Sequence, residues 1–348
     1  MGATLAGETV RAARIHRYGP PEALRVEDVD PPGPVRPKDL RVAVHAASVN
    51  PVDVKIRSGG QRALIHLRLP WTLGLDFAGE VLEVGPRVEG FAVGDRVYGS
   101  PTHRRPGTYA EELLVDASQA ARIPGRLSYA QAASLPLVAL TAWDAFVVKG
   151  RLRAGQRVLV HAGAGGVGTF AIQLAKHLGA GFVATTASPR NHALVTSLGA
   201  DLAIDYRSQR FEEVLADDPV DLVLDAIGGE TRRRSLAVLR RGGVIATLIG
   251  GFPAATLKHG PVLGPALALS ELTAITVGAY LRHRVRVEHV LRSPDGRILD
   301  RLRPALASGA LVPVLDRTYP LEEIVEAHRY SETGRARGKI VVALRDGG

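Results

Sequence analysis

Three glycines in the run His161-Ala162-Gly163-Ala164-Gly165-Gly166-Val167-Gly168 stand at GxGxxG spacing. That spacing suits a pyrophosphate. Gly163 permits a tight turn, Gly165 lets backbone approach the anion, and Gly168 allows a helix to pack closely on a strand. Gly163, Ala164, Gly165, Gly166, Val167 and Gly168 are therefore the candidate phosphate cradle, at a helix N-terminus that favours negative charge. The context supports the match. Arg157-Val158-Leu159-Val160-His161 reads as a short buried strand before the loop. After it, Val167, Phe170, Ala171, Leu174, Ala175 and Leu178 fall on one helical face, and Gly179 stops the helix. No Lys-Ser or Lys-Thr follows the glycines, which excludes a P-loop.

The next segment bears on the nucleotide. A site for NAD places an acid about 20 residues on, at the ribose 2′-hydroxyl. Residues 183–191 contain no Asp or Glu but hold Thr185, Thr186, Ser188 and Arg190. Hydroxyls and a guanidinium bind a 2′-phosphate, which an acid would repel. Tyr206 is expected to add a phenol and Arg207 a charge. The expected cofactor is NADPH.

No metal is expected. The chain has no cysteine, which excludes disulfides and thiolate zinc sites, and its histidines show no compact ligand spacing with acids. A short-chain dehydrogenase is disfavoured because no Tyr has a Lys four positions later. A serine hydrolase is disfavoured because no GxSxG occurs.

These residues need elements to hold them, and 348 residues suffice for two domains. The first third is rich in Gly, Pro and Val, with short apolar runs at 40–44, 79–84 and 96–98. It reads as a β-rich, barrel-like domain, residues 1–126. The pattern changes near Leu127, where Ser128 can cap a helix over 129–134. Ser188-Pro189 starts another helix, which Gly199 ends. Strands at 182–186, 202–204, 221–224, 244–248 and 274–277 alternate with helices. The fold class is α/β, with a doubly wound parallel sheet over 127–285. Residues 286–348 add one or two helices and a last strand over 339–344. Lys339, at its start, is grouped with the cofactor-binding residues.

The net charge is +9, with Arg clusters at 232–234, 240–241 and 282–286 that no aromatic residue interleaves. They read as solvated faces, not as a nucleic-acid surface. No stretch reaches the roughly 18 uncharged apolar residues that span a bilayer. The longest candidate, 260–280, is interrupted by Pro261, Pro265 and Glu271. Residues 1–10 lack the pattern of a secretory signal. A cytoplasmic protein with no nucleic-acid or membrane partner is expected.

Several ordered motifs together resemble the zinc-free quinone oxidoreductases of the medium-chain dehydrogenase/reductase type, related to zeta-crystallin. Ala13-Arg14-Ile15-His16-Arg17-Tyr18-Gly19 looks like the family's first strand. Asn50-Pro51-Val52-Asp53-Val54-Lys55-Ile56-Arg57-Ser58-Gly59 is similar to its NPxDxKxRxG segment. Gly74-Leu75-Asp76-Phe77-Ala78-Gly79, Phe91-Ala92-Val93-Gly94-Asp95-Arg96-Val97, Gly107-Thr108-Tyr109-Ala110-Glu111 and Leu140-Thr141-Ala142-Trp143 also fit, as does the glycine loop. The resemblance implies a GroES-like β-barrel domain, a Rossmann domain, a C-terminal segment returning to the barrel, and a cleft between the domains. It also implies a homodimer through the last Rossmann strand, near 275–281. Leu75 stands where zinc-dependent relatives carry a histidine.

The implied reaction is hydride transfer from NADPH to a quinone or an α,β-unsaturated carbonyl. Asn50 would orient substrate or nicotinamide, and Lys55 would hold the ribose or donate toward an enolate. Thr141 would contact the cofactor, and Gly250 and Gly251 would let backbone approach the nicotinamide. Asp53 is expected to hydrogen-bond within its own turn, and His161 to end its strand. The rival enzyme reading is an enoyl-thioester or biosynthetic tailoring ene-reductase. The rival of another class is an NADPH-binding sensor, or a nucleic-acid-binding protein without turnover.

Overall fold

A computed structural model describes residues 9–125, 127–248 and 250–345. The N-terminal residues 1–8, most of the segment read for a secretory signal, lie outside the described residues, as does the expected domain-boundary residue Arg126.

Short apolar runs bounded by Gly and Pro build the first layer. Its strands are β1 (Val10–Ile15), β2 (Leu24–Val29), β3 (Asp39–Val49), β4 (Trp71–Thr72), β5 (Phe77–Val84), β6 (Arg96–Gly99), β7 (Glu112–Asp116) and β8 (Ala120–Arg122). β3 is the axis, pairing antiparallel with both β5 and β7. Burial on both sides explains its near-continuous apolar composition. Three helices hang from this layer: α1 (Pro51–Arg57), α2 (Tyr129–Ala133) and α3 (Pro136–Trp143). Ser128 caps α2, accepting from the Gln131 amide at 3.1 Å, as its sequence implies.

The second layer alternates strand and helix. Strands β9 (Arg157–Val160), β10 (Phe182–Ala187), β11 (Leu202–Asp205), β12 (Val220–Asp225), β13 (Leu239–Thr247) and β14 (Arg286–His289) form one parallel sheet, ordered β11-β10-β9-β12-β13-β14. The intervening helices are α4 (Gly166–His177), α5 (His192–Ser197), α6 (Phe211–Val214), α7 (Gly229–Ser235) and α8 (Phe252–His283). This is the doubly wound order, and β9 sits where the winding reverses. α4 buries Phe170, Ala171, Leu174 and Ala175 as its periodicity requires, and Gly179 ends it at φ +86°.

The chain then returns. After α9 (Gly296–Ala307), β15 (Leu315–Pro320) and α10 (Ile324–Glu332), strand β16 (Lys339–Ala343) pairs antiparallel with β3. The barrel layer and the doubly wound sheet are both as expected. Two assignments differ. Residues 274–277, expected as a strand, lie inside α8, because apolar residues there continue a helical period set further upstream. The dimer-forming strand assigned to 275–281 is therefore absent there. The last strand of the sheet is β14, so the boundary at 285 falls before the sheet is complete.

Candidate active site

The glycine loop joins β9 to α4, and steric need explains its composition. A Cβ on Gly163 would lie 1.9 Å from the Thr185 hydroxyl, and one on Gly168 only 2.3 Å from the Ala162 carbonyl. A Cβ on Gly165 would meet nothing closer than 3.3 Å, which leaves the approach to the helix N-terminus open. Gly165 precedes α4 in extended conformation, and Ala162 adopts φ +56° to turn the chain. Thr185 and Thr186 belong to this scaffold. Thr185 donates to the Val160 carbonyl at 2.7 Å, and the Thr186 hydroxyl accepts from the Ala162 amide at 3.2 Å. They brace the loop and are buried, where the sequence reading set them beside a 2′-phosphate. A dinucleotide pyrophosphate fits this cradle: its two tight glycines hold the shape, and the open one faces the anion.

Beside the loop lies a buried polar network. The Lys339 ammonium donates to Asn50 Oδ1 and to Asp76 Oδ2, the latter at 3.4 Å. Asn50 Nδ2 donates to Asp76 Oδ2 at 2.9 Å, and the Ser48 hydroxyl to the same oxygen at 2.7 Å. Asp76 Oδ1 takes the Leu137 amide at 2.8 Å. The Lys339 stem passes Gly166, where an added Cβ would lie 2.8 Å from its Cδ. Burial pushes the Lys339 pKa down, opposed by the Asp76 and Asp53 carboxylates. Asn50 is 1% exposed with both ends of its amide engaged, so it positions Lys339 and has no free hydrogen to offer a ligand.

Lys55 differs. It sits on α1, partly buried, and its ammonium has no hydrogen-bond partner among the described residues. Desolvation lowers its pKa. Nearby, Gly60 packs against Pro253 in the first turn of α8, where a Cβ would come within 3.1 Å of the proline ring. Gly251 supplies the φ of +74° that starts α8, and Gly250 lies against the Phe252 ring. Thr141 is buried in α3 and spends its hydroxyl hydrogen on the Leu137 carbonyl at 2.6 Å.

At the far end of the loop, Ser188 is buried and Arg190 is exposed. Arg190 lines a cavity of about 470 Å³ with Arg317, Arg335, Arg337 and one acid, Asp316, whose Oδ2 accepts from the Tyr330 hydroxyl at 2.7 Å and the Arg337 amide at 2.9 Å. The sequence reading missed these three arginines; the basic run Arg335-Ala336-Arg337 just before Gly338-Lys339 was the available signal. Tyr206, 58% exposed, carries Arg207 over its ring at 5.8 Å. His161 is structural as expected: it bonds the Thr186 and Ser235 hydroxyls at 3.2 and 2.9 Å, and burial takes its pKa down to about 4.

Asp53 accepts the Asn50 amide at 2.8 Å and the Tyr109 hydroxyl at 3.3 Å through one oxygen, while its Oδ1 has no partner. Full burial raises its pKa from 3.8 to about 7. The folded state then holds a proton that the unfolded state releases, so this contribution to stability is complete below pH 3.8 and is lost as pH rises to about 7. Asp53→Asn is expected to flatten the fall of unfolding free energy across that window in urea titrations. An unchanged slope would show the carboxyl to be ionised throughout.

Comparison with known proteins agrees with this architecture. The family described as Alcohol dehydrogenase GroES-like domain matches residues 36–125, and that described as Zinc-binding dehydrogenase matches residues 198–342. A mitochondrial NAD(P)H oxidoreductase of Homo sapiens is 37% identical over 352 residues, 94% of this chain and 87% of that protein. A chloroplastic NADPH-dependent alkenal/one oxidoreductase of Arabidopsis thaliana is 34% identical over 334 residues, 93% of this chain and 77% of that protein. Among solved structures, the quinone oxidoreductase from Coxiella burnetii superimposes with a TM-score of 0.84 at 34% identity, covering 97% of this chain and all of that one. The relatives overturn the cytoplasmic expectation, since four that are 35–37% identical over more than nine-tenths of this chain are named as mitochondrial. Bulk composition reports the folded domains, which serve equally well in an organelle. Matched at these identities over more than nine-tenths of its length, the chain belongs to the quinone oxidoreductase-like family of medium-chain dehydrogenases/reductases.

Proposed function

We propose that this oxidoreductase uses NADPH to reduce a quinone or an α,β-unsaturated carbonyl without zinc, in a cleft between the barrel layer and the doubly wound sheet. The observation that carries the reading is the placement of an unpartnered, partly buried Lys55 on the barrel side of a glycine loop shaped for a dinucleotide. The names of the plant and bacterial relatives support the acceptor class. The zinc-free reading rests on the donor set. The chain has no cysteine, and among the described residues no group of three or more His, Asp or Glu is placed to hold a metal ion.

NADPH, when bound, supplies the hydride. The loop amides and the N-terminus of α4 would hold the pyrophosphate, and the cavity lined by Arg190, Arg317, Arg335 and Arg337 would take the 2′-phosphate. Ser188 and Tyr206 flank that end, and Thr141, Gly250 and Gly251 border the nicotinamide end. Asn50 and Asp76 hold Lys339 against the loop as a fixed positive charge. As the acceptor gains a hydride, negative charge develops on its oxygen, and Lys55 donates to it. The first turn of α8 against Gly60 helps exclude water. Self-association is assigned to β14, one of the two open edges of the sheet and the one that ends its winding.

The test follows loss of reduced-nicotinamide absorbance across quinones, alkenals, cyclic enones and enoyl-thioesters, with NADPH and with NADH. NADPH-selective turnover of quinones or enones is expected; preference for thioesters or for NADH would overturn the assignment. Lys55→Met is expected to lower kcat by about 100-fold, the scale of a lost general acid, with NADPH affinity unchanged. Burial lowers the Lys55 pKa, so activity should persist below that pKa and fall as pH rises through it. Weaker NADPH binding with kcat intact would make Lys55 a ribose anchor.

A further inference from the structure

Helix α8 is two segments. Gly260 breaks it at φ +82°, ψ 173°, and Pro261 then occupies the first position of a second segment. The first segment folds against the second at Gly264, where a Cβ would lie 2.4 Å from the Ala255 carbonyl. Of the three interruptions in the sequence, Pro261 marks the kink, and residues 261–283 run on through Pro265 and Glu271 as a helix of about 35 Å.

One face of that helix is packed. Gly264, Ala268, Leu272 and Ala279 are buried, and Ala279 joins Ile245, Val285 and Val287 in the core beneath β13 and β14. The opposite face is bare and apolar. Val262, Leu263, Leu269, Val277, Tyr280 and Leu281 are all exposed, Val262 at 85%. At 100° per residue they span an arc of about 120°, and no charged residue falls within it; Glu271 lies roughly 80° beyond its edge and Arg282 roughly 100°. Two hydroxyls do fall there, and both turn inward on their own helix. Ser270 donates to the Leu267 carbonyl at 2.8 Å and Thr273 to the Leu269 carbonyl at 2.9 Å.

Charge says what covers this face. Lys258 stands two residues before the kink, close to the start of the second segment, and Arg282 and Arg284 at its other end, with Arg241 in β13 beside Gly242, whose amide donates to the Arg284 carbonyl at 3.0 Å. All four are exposed, and none has a carboxylate partner among the described residues. In a two-fold pairing of α8 with a second copy, cationic ends would meet cationic ends, with no acid on the face to answer them. An anionic bilayer answers both features: acyl chains take the apolar face and headgroups take the flanking cations. Burial of the other face on the sheet prevents α8 from crossing the bilayer.

We propose that α8 is an in-plane docking surface for an anionic lipid membrane. Its first segment, packed on Gly60 beside Lys55, then holds the cleft at the membrane surface, within reach of acceptors dissolved in lipid. The inference does not depend on turnover and runs against the expectation of no membrane partner.

Flotation of the full chain with vesicles tests it. Vesicles of phosphatidylcholine mixed with phosphatidylglycerol should carry the protein, and added salt should weaken binding. The Val277→Glu/Leu281→Glu variant should lose roughly tenfold in bound fraction while keeping its melting temperature and NADPH affinity. Arg282→Ala/Arg284→Ala should lose binding to mixed vesicles selectively. Failure of the parent chain to float with the mixed vesicles, or equal flotation with vesicles of phosphatidylcholine alone, would overturn the proposal. So would a dimer that the Val277→Glu/Leu281→Glu variant dissociates, because a second copy would then own the face.

Discussion

Gly168→Ala should weaken NADPH binding by more than about 100-fold, the scale of a clash that side-chain rotation cannot relieve. The added methyl would meet the Ala162 carbonyl at 2.3 Å and the Gly163 Cα at 2.7 Å. Both are backbone atoms, held by the bond from the Gly165 amide to the Ala162 carbonyl at 3.0 Å and from the Gly163 amide to the Thr186 carbonyl at 3.0 Å. Relief requires α4 to move away from β9, which misaligns the amides facing the pyrophosphate. Gly165→Ala is the milder companion, since its Cβ would press on the Ala162 carbonyl at 3.3 Å, a contact that a small shift relieves, while intruding on the anion. It should lower the melting temperature less than Gly168→Ala does and still impair binding. Fluorescence titration of NADPH reads both. A Gly168→Ala dissociation constant within threefold of the parent's would refute the assigned cradle.

Lys339→Met should cost about 3–5 kcal/mol of stability, the range for removing one partner of a buried ion pair. Methionine fills the stem's volume beside Gly166 but leaves the Asp76 carboxylate, fully buried, with no cation in contact. Asn50 Oδ1 loses its donor in the same step. Asp76→Asn in the Lys339→Met background should recover part of the loss, because the uncompensated charge, more than the missing contact, sets the cost. Urea unfolding of the two single variants and the double variant gives the coupling directly. Strict additivity would mean that the network is not a unit.

Local physics explains which features could be read beforehand. The glycine loop, α4 and the five strands from β9 to β13 follow from periodicity and from glycines at steric contacts, which are short-range properties. Ser188, Arg190 and Tyr206 could be proposed from sequence because a 2′-phosphate is expected one strand from the loop. Arg317, Arg335 and Arg337 were not, because they arrive from the returning C-terminal segment, and no spacing in the chain measures that approach. Asn50 was recognised, but its saturation by Lys339 and Asp76 joins residues 289 and 263 positions apart for the Lys339 bonds alone. Residues 274–277 misled for the opposite reason: a short apolar run of Ala, Ile, Thr and Val fits strand and helix alike.

The Gly338 amide donates to the Ala164 carbonyl at 2.9 Å, and Gly338 bridges to Gly165, so the barrel's last strand is stitched to the phosphate loop. A Cβ on Gly338 would strike the Val314 carbonyl at 2.3 Å, which leaves the stitch no slack. A change in chain length between α10 and β16 would therefore displace the phosphate loop together with the barrel edge, so the two layers share one tolerance for insertion at this point.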